Sequence, residues 1–170
     1  LVKSKGLDLG IVVDPDVDRL ALISENGEMF GEEYTLVAIA DYYMKNKPGT
    51  TVSNLSSSRA LKDITNAAGE KYFASAVGEV NVVVKMKETN AVIGGEGNGG
   101  IIVPDFHYGR DSLIGIALFL SHIARMGIPM STLRNGYPHY EMAKNKIELK
   151  QGMNPDEIIG KMKERYAAEE

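Results

Sequence analysis

Leu9-Gly10-Ile11-Val12-Val13-Asp14-Pro15-Asp16-Val17-Asp18-Arg19 is an apolar run that ends in three carboxylates at every second position. The run Leu9–Val13 reads as a short buried strand. Pro15 disfavours a helical Asp14, so the loop is expected to leave the strand extended. Alternate side chains of an extended segment share a face, which would bring Asp14, Asp16 and Asp18 to one point. Three hard oxygen donors at one point repel one another unless a cation sits between them. Mg²⁺ suits that set, because it takes carboxylate oxygen and keeps positions for water or phosphate. Arg19 adds a planar cationic fork suited to phosphate. The same residues also suit a plain acidic turn, and their spacing opens calcium loops. Against a calcium loop, the sixth position is Arg19 instead of Gly and the flanks read as strands, although the twelfth position is Glu25.

The rest of the chain sets bounds. Its 170 residues allow one domain or two small ones, with 44% apolar and 25% charged residues, the balance of a globular protein. A net charge of −4 provides no electrostatic footprint for nucleic acid or an anionic membrane. No apolar run approaches bilayer length. The absence of Cys removes disulfides and thiolate metal sites and fits a cytoplasmic protein. The chain starts at Leu1 without a signal-peptide pattern and reads as a piece of something longer.

Along the chain, 1–8 is a polar lead-in and Leu20–Ser24 a second strand, followed by an Asn26-Gly27 hairpin turn. Glu33–Lys45 has helical spacing and stops at Lys47-Pro48-Gly49. A unit boundary fits there. Thr50–Asn54 is a strand, and Arg59–Ala68 a helix closed by Gly69. Ser56-Ser57-Ser58 resembles a nucleophile or phosphate loop, but a serine before a helix is better read as a cap. Tyr72–Ala76 is a strand. Val80–Lys87 is read as a helix, although Val82-Val83-Val84 suits a strand equally. Asn90–Ile93 is a strand that opens into Gly94-Gly95-Glu96-Gly97-Asn98-Gly99-Gly100, with Ile101–Val103 extended beyond it. Ser112–Met126 is a helix, apolar on most sides and expected to be well buried, with Asp111 its N-cap and Gly127 its terminator. His107 and His122 read as structural. Ser131–Arg134 is a short turn or helix, Tyr140–Leu149 a last strand, and Asn154-Pro155 starts a charged helix through Arg165.

The Gly-rich loop is the second informative stretch. Five glycines in seven residues let backbone approach a ligand, with Glu96 and Asn98 placed to bind hydroxyls. Its spacing matches neither a dinucleotide fingerprint nor a Walker loop. A simple flexible hairpin turn reads equally well.

The acidic loop, the Gly-rich loop and their separation together resemble the α-D-phosphohexomutase family, which includes phosphoglucomutase, phosphomannomutase and phosphoglucosamine mutase. The resemblance implies an α/β fold: a mixed-sheet α/β/α domain of the phosphohexomutase type, preceded by part of a related domain. On that reading residues 1–46 are the second half of domain two, 50–135 are domain three, and 136–170 lead into domain four. Asp14, Asp16 and Asp18 match the family's Mg²⁺ ligands, and Arg19 matches the arginine beside its phosphoserine. Glu96 and Asn98 match the loop that holds sugar hydroxyls, and Gly78 and Glu79 fall in another substrate-side turn. Pro15 stands where family members often carry Gly, and Asn98 and Gly100 where many bacterial members carry Ser and His.

The resemblance implies a hexose phosphate substrate and transfer through an enzyme phosphoserine. That serine and a phosphate-binding loop would lie in domains one and four of the same protein, outside these residues, so the chain alone is expected to be inactive. Two other readings of the same loops remain. One is a non-catalytic phosphosugar- or nucleotide-binding module. The other is a metal-dependent phosphohydrolase with Asp14 as nucleophile, for which Lys85 or Lys87 would have to reach the metal.

Overall fold

A computed structural model describes residues 1–143, 145, 147–149 and 152–167. The first turn of chain, α1 (Val2–Lys5), interrupts the expected polar lead-in and ends at the left-handed Gly6. Strands β1 (Leu9–Val13) and β2 (Leu20–Ser24) pair antiparallel as a two-stranded sheet. The Asn26-Gly27 turn then folds the chain back, with Gly27 left-handed at φ 88°. Helix α2 (Glu32–Asn46) follows.

The second sheet has the strand order β4-β3-β5-β6. Here β3 is Thr51–Asn54, β4 Tyr72–Ser75, β5 Ile93–Gly95 and β6 Ile101–Ile102. β3 lies parallel to both β4 and β5, and β6 closes antiparallel on β5, so the sheet is mixed. Helix α3 (Ala60–Ala67) joins β3 to β4, and α4 (Glu79–Thr89) joins β4 to β5. Parallel neighbours require such crossovers. Val82-Val83-Val84 is therefore helical: Val82 and Met86, one turn apart, are buried with Val52, Ala91 and Ile102. α5 (Ser112–Met126), α6 (Met130–Asn135) and α7 (Pro155–Arg165) complete the described elements.

The main core lies between α2, α5 and the sheets, and includes Leu20, Leu22, Phe30, Ile39, Ile93, Ile101 and Phe119. Leu20 and Leu22 belong to the hairpin, so the β1–β2 unit is anchored in the same core as the second sheet. Phe30 and Phe119 meet edge to face at 5.2 Å between ring centres.

Four expectations are corrected. β1 is not buried: Ile11, Val12 and Val13 are exposed, because among the described residues only β2 pairs with it. The strand expected at Asn90–Ile93 starts at Ile93, since Asn90 is the left-handed cap of α4 and Gly94 and Gly95 belong to the strand. Helix α5 buries one stripe, Ser112, Gly115, Phe119 and His122, at spacings of three and four, and leaves Leu113 and Leu120 exposed. No strand forms at the described positions of Tyr140–Leu149; residues 144 and 146 of that stretch lie outside the described residues.

Helix ends follow the cap reading. Asp111 accepts from the amides of Leu113 and Ile114, and Asn154 accepts from Asp156. Ser58 Oγ accepts from the Ala60 amide at the start of α3, which gives the serine run a capping role.

Candidate functional site

Asp14, Asp16 and Asp18 do converge: one carboxylate oxygen from each lies within 4.8 Å of the other two. The geometry that achieves this is not the extended strand expected from the spacing. The chain turns at Pro15-Asp16, with the Val17 amide donating to the Asp14 carbonyl at 3.1 Å. Val17 then takes a left-handed φ of 58°. A β-branched residue there is strained, a cost of order 1–3 kcal/mol. The turn wraps the backbone around Asp14, whose Oδ1 accepts from the amides of Asp18 and Arg19, both at 3.1 Å. Partial burial acts to raise the Asp14 pKa, but these amide bonds outweigh it and hold the carboxyl below its ordinary value.

Asp18 behaves differently. Desolvation, and then the adjacent Asp14 carboxyl, push its pKa up against the opposing pull of Arg110. Its Oδ2 pairs with Arg110, while its buried Oδ1 has no hydrogen-bond partner. An orphaned buried carboxylate oxygen is costly, and a cation held between the three aspartates would satisfy it. The donors are all hard oxygens, Asp16 is exposed, and the loop is open to solvent on that side, so the residues present fit Mg²⁺. Glu25 takes no part: it accepts from the Ser131 amide and hydroxyl at the start of α6, which leaves no calcium loop.

Arg19 is 55% exposed, with Nε 3.8 Å from Asp14 and 3.9 Å from Asp18. Those distances are ion pairs without hydrogen bonds, so its N–H groups are available to a ligand. Asp14, Arg19 and Asn98 share a cleft of about 260 Å³ with Val12, Val13 and Glu32. A larger cleft, about 490 Å³, lies away from all of these residues, beside Asp41, Met44 and Tyr137. The chemistry favours the smaller one.

The Gly-rich segment is a β5–β6 hairpin placed beside the acidic loop. Gly99, left-handed at φ 83°, accepts at its carbonyl from the Leu20 amide; a Cβ there would meet the Leu20 oxygen at 2.2 Å. Glycine is thus required for the two loops to touch. Glu96 is 4% exposed, and both its oxygens are engaged. Oε1 accepts from Asn54 at 2.8 Å, and Oε2 accepts from Arg110 at 2.8 Å. Asn98 accepts at Oδ1 from the Gly100 amide and presents its side chain to the cleft. Gly78, at φ 110°, precedes α4, and Glu79 in its first turn accepts from the Arg110 amide and Nε, both at 3.2 Å.

The sequence reading named neither Asn54 nor Arg110. Asn54 ends the parallel strand β3, where a buried polar Ser53-Asn54 pair was the available signal. Arg110 gave no signal, because its partners Asp18, Glu79 and Glu96 lie on three different loops. Lys85 pairs with Glu88, and Lys87 lies over the Tyr108 ring, so neither is partnered with the acidic loop. Asn54, Glu79 and Glu96 all stand at the carboxyl ends of β3, β4 and β5, the edge where open α/β sheets bind ligands.

Fold and site thus define an α/β/α domain whose ligand edge faces a carboxylate-rich loop. Residues 31–140 match the family model described as phosphoglucomutase/phosphomannomutase, alpha/beta/alpha domain III. The chain belongs to the α-D-phosphohexomutase family. It is 36% identical over 147 residues to a phosphoglucomutase/phosphomannomutase of Thermococcus kodakarensis, covering 86% of this chain and 32% of that protein. It is 28% identical over 170 residues to a phosphoglucosamine/phosphogalactosamine mutase of Sulfurisphaera tokodaii, covering 98% of this chain and 37% of that protein. A crystal structure of a phosphoglucomutase/phosphomannomutase family protein from Burkholderia thailandensis superposes with a TM-score of 0.73 at 27% identity, over 81% of this chain and 30% of that one. The chain spans about a third of the length of these relatives. The matched span includes α2, which the division at residue 46 assigns to the preceding unit. No helix among the described residues is long and apolar enough to cross a membrane.

Proposed function

We propose that this chain supplies the metal loop and the sugar loop of an enzyme that interconverts a hexose 1-phosphate and the corresponding 6-phosphate. The observation that supports this most directly is the convergence of Asp14, Asp16 and Asp18 beside an exposed Arg19 fork that makes only long ion pairs, with the buried Oδ1 of Asp18 left without a hydrogen bond. Mg²⁺ held by the three aspartates would neutralise charge on a phosphoryl group in transfer. Arg19 would take a phosphate oxygen in place, which requires no reorganisation during the reaction. Asn98 would bind sugar hydroxyls from the shared cleft, and Glu96, with Gly78 and Glu79, would contribute to the substrate side of the site, where Glu79 and Glu96 are joined through Arg110.

The phosphoryl donor on this reading is a phosphoserine outside residues 1–170, and a further phosphate-binding loop completes the site. The β1–β2 hairpin is the end of the preceding domain, whose remaining strands would cover Ile11, Val12 and Val13. Domain three then begins with α2, in line with the packing of that helix against α5 and α3. On this reading the 170-residue chain alone is expected to show no mutase activity.

The test is an assay of the full-length protein with Mg²⁺, a sugar bisphosphate activator and the 1-phosphates of glucose, mannose and glucosamine, followed by ³¹P NMR. The 6-phosphate of at least one hexose is expected, with none from the 170-residue chain. Turnover by that chain freed of host enzymes, or phosphate trapped on Asp14, would overturn the reading.

A further inference from the structure

Arg110 is 14% exposed and joins three loops through one guanidinium. Nη2 pairs with Asp18, Nε with Glu79 at 3.2 Å and Nη1 with Glu96 at 2.8 Å, while its backbone amide donates to Glu79 at 3.2 Å. Its stem fills the space above Gly100, where a Cβ would meet Cδ at 2.5 Å. The Asp18 oxygen it holds is Oδ2, which leaves Oδ1, the one without a hydrogen bond, as the oxygen directed elsewhere.

We infer that Arg110 is a positioning residue that fixes a metal-ligand carboxylate, Asp18, relative to the sugar-loop carboxylate, Glu96, so that cation and sugar are held in one register. The inference rests on the phosphohexomutase reading. A planar fork with donors in fixed directions can hold three carboxylates at set angles, which a single ammonium cannot. Outer-shell partners of this kind orient metal ligands, and their loss weakens metal affinity about 10–100-fold.

A mere charge effect has the opposite signature. If Arg110 acted only through its field, Arg110→Lys would leave cation affinity unchanged, and a neutral replacement would tighten it. Gly100→Ala keeps every charge and displaces the Arg110 stem.

The experiment is Mn²⁺ binding to the full-length protein, read by loss of the free-ion EPR signal, with KM and kcat measured on the same samples. For Arg110→Lys, the expected result is a Kd weakened about tenfold or more and a KM raised in parallel. Gly100→Ala is expected to move both in the same direction. A variant Kd within twofold of wild type, whatever its urea midpoint, would overturn the inference and leave the parent reading intact. If Arg110→Lys does not fold, Gly100→Ala decides by the same criterion. A wild-type protein that neither binds Mn²⁺ nor turns over would overturn both.

Discussion

Asp16→Asn is expected to lower kcat/KM of the full-length protein about a thousandfold, ~4 kcal/mol of transition-state stabilisation, with almost no change in stability. The separation of the two effects is what makes the variant informative. Asp16 is exposed and makes no hydrogen bond or ion pair among the described residues. Asn is nearly isosteric, and losing one of three like charges relieves repulsion in the metal-free loop. The urea midpoint should therefore stay within ~0.5 kcal/mol of wild type, the usual range for surface changes. The activity loss follows because a neutral amide oxygen replaces a charged ligand of a hard cation. Steady-state kinetics and urea denaturation on the same preparation check both halves. A kcat/KM within tenfold of wild type would show that Asp16 holds nothing the reaction needs.

Phe30→Ala carries the largest expected loss of stability, about 3–5 kcal/mol. Phe30 is fully buried between the hairpin and the helices, edge to face with Phe119. Its backbone also ties the parts together, since its amide donates to Leu22 and its carbonyl accepts from Arg134 Nε at 3.1 Å. The walls of the cavity are Leu20, Leu22 and residues of α2 and α5, which are held by both sheets and cannot collapse far. Phe106→Ala is the control: that ring is 62% exposed and its loss should cost under ~0.5 kcal/mol. Equal midpoints for the two variants in urea would mean that the hairpin does not share the core.

Much of this architecture was legible in the chain itself. β1 and β2 fall where the apolar runs place them, and Asp111, Gly127 and Asn154 cap as their types dictate, because these features are local. The three aspartates were also readable as a cluster, but through the wrong geometry. Alternation in an extended segment and a turn at Pro15 followed by a left-handed Val17 both bring the carboxylates together. Only the backbone distinguishes them, and nothing in the type of residue 17 announces a positive φ. What stayed hidden depends on long-range placement. The exposure of Ile11, Val12 and Val13 follows from β1 pairing, among the described residues, with β2 alone. The burial of Glu96 follows from Asn54 and Arg110, which lie 42 and 14 residues away in sequence.

Mn²⁺ titration of the full-length protein and its Asp16→Asn variant tests whether Asp14, Asp16 and Asp18 hold a divalent cation. The expected result is one saturable site in the wild type that Mg²⁺ displaces and that the variant loses. Saturable binding of equal affinity in Asp16→Asn, or none in the wild type, would contradict it.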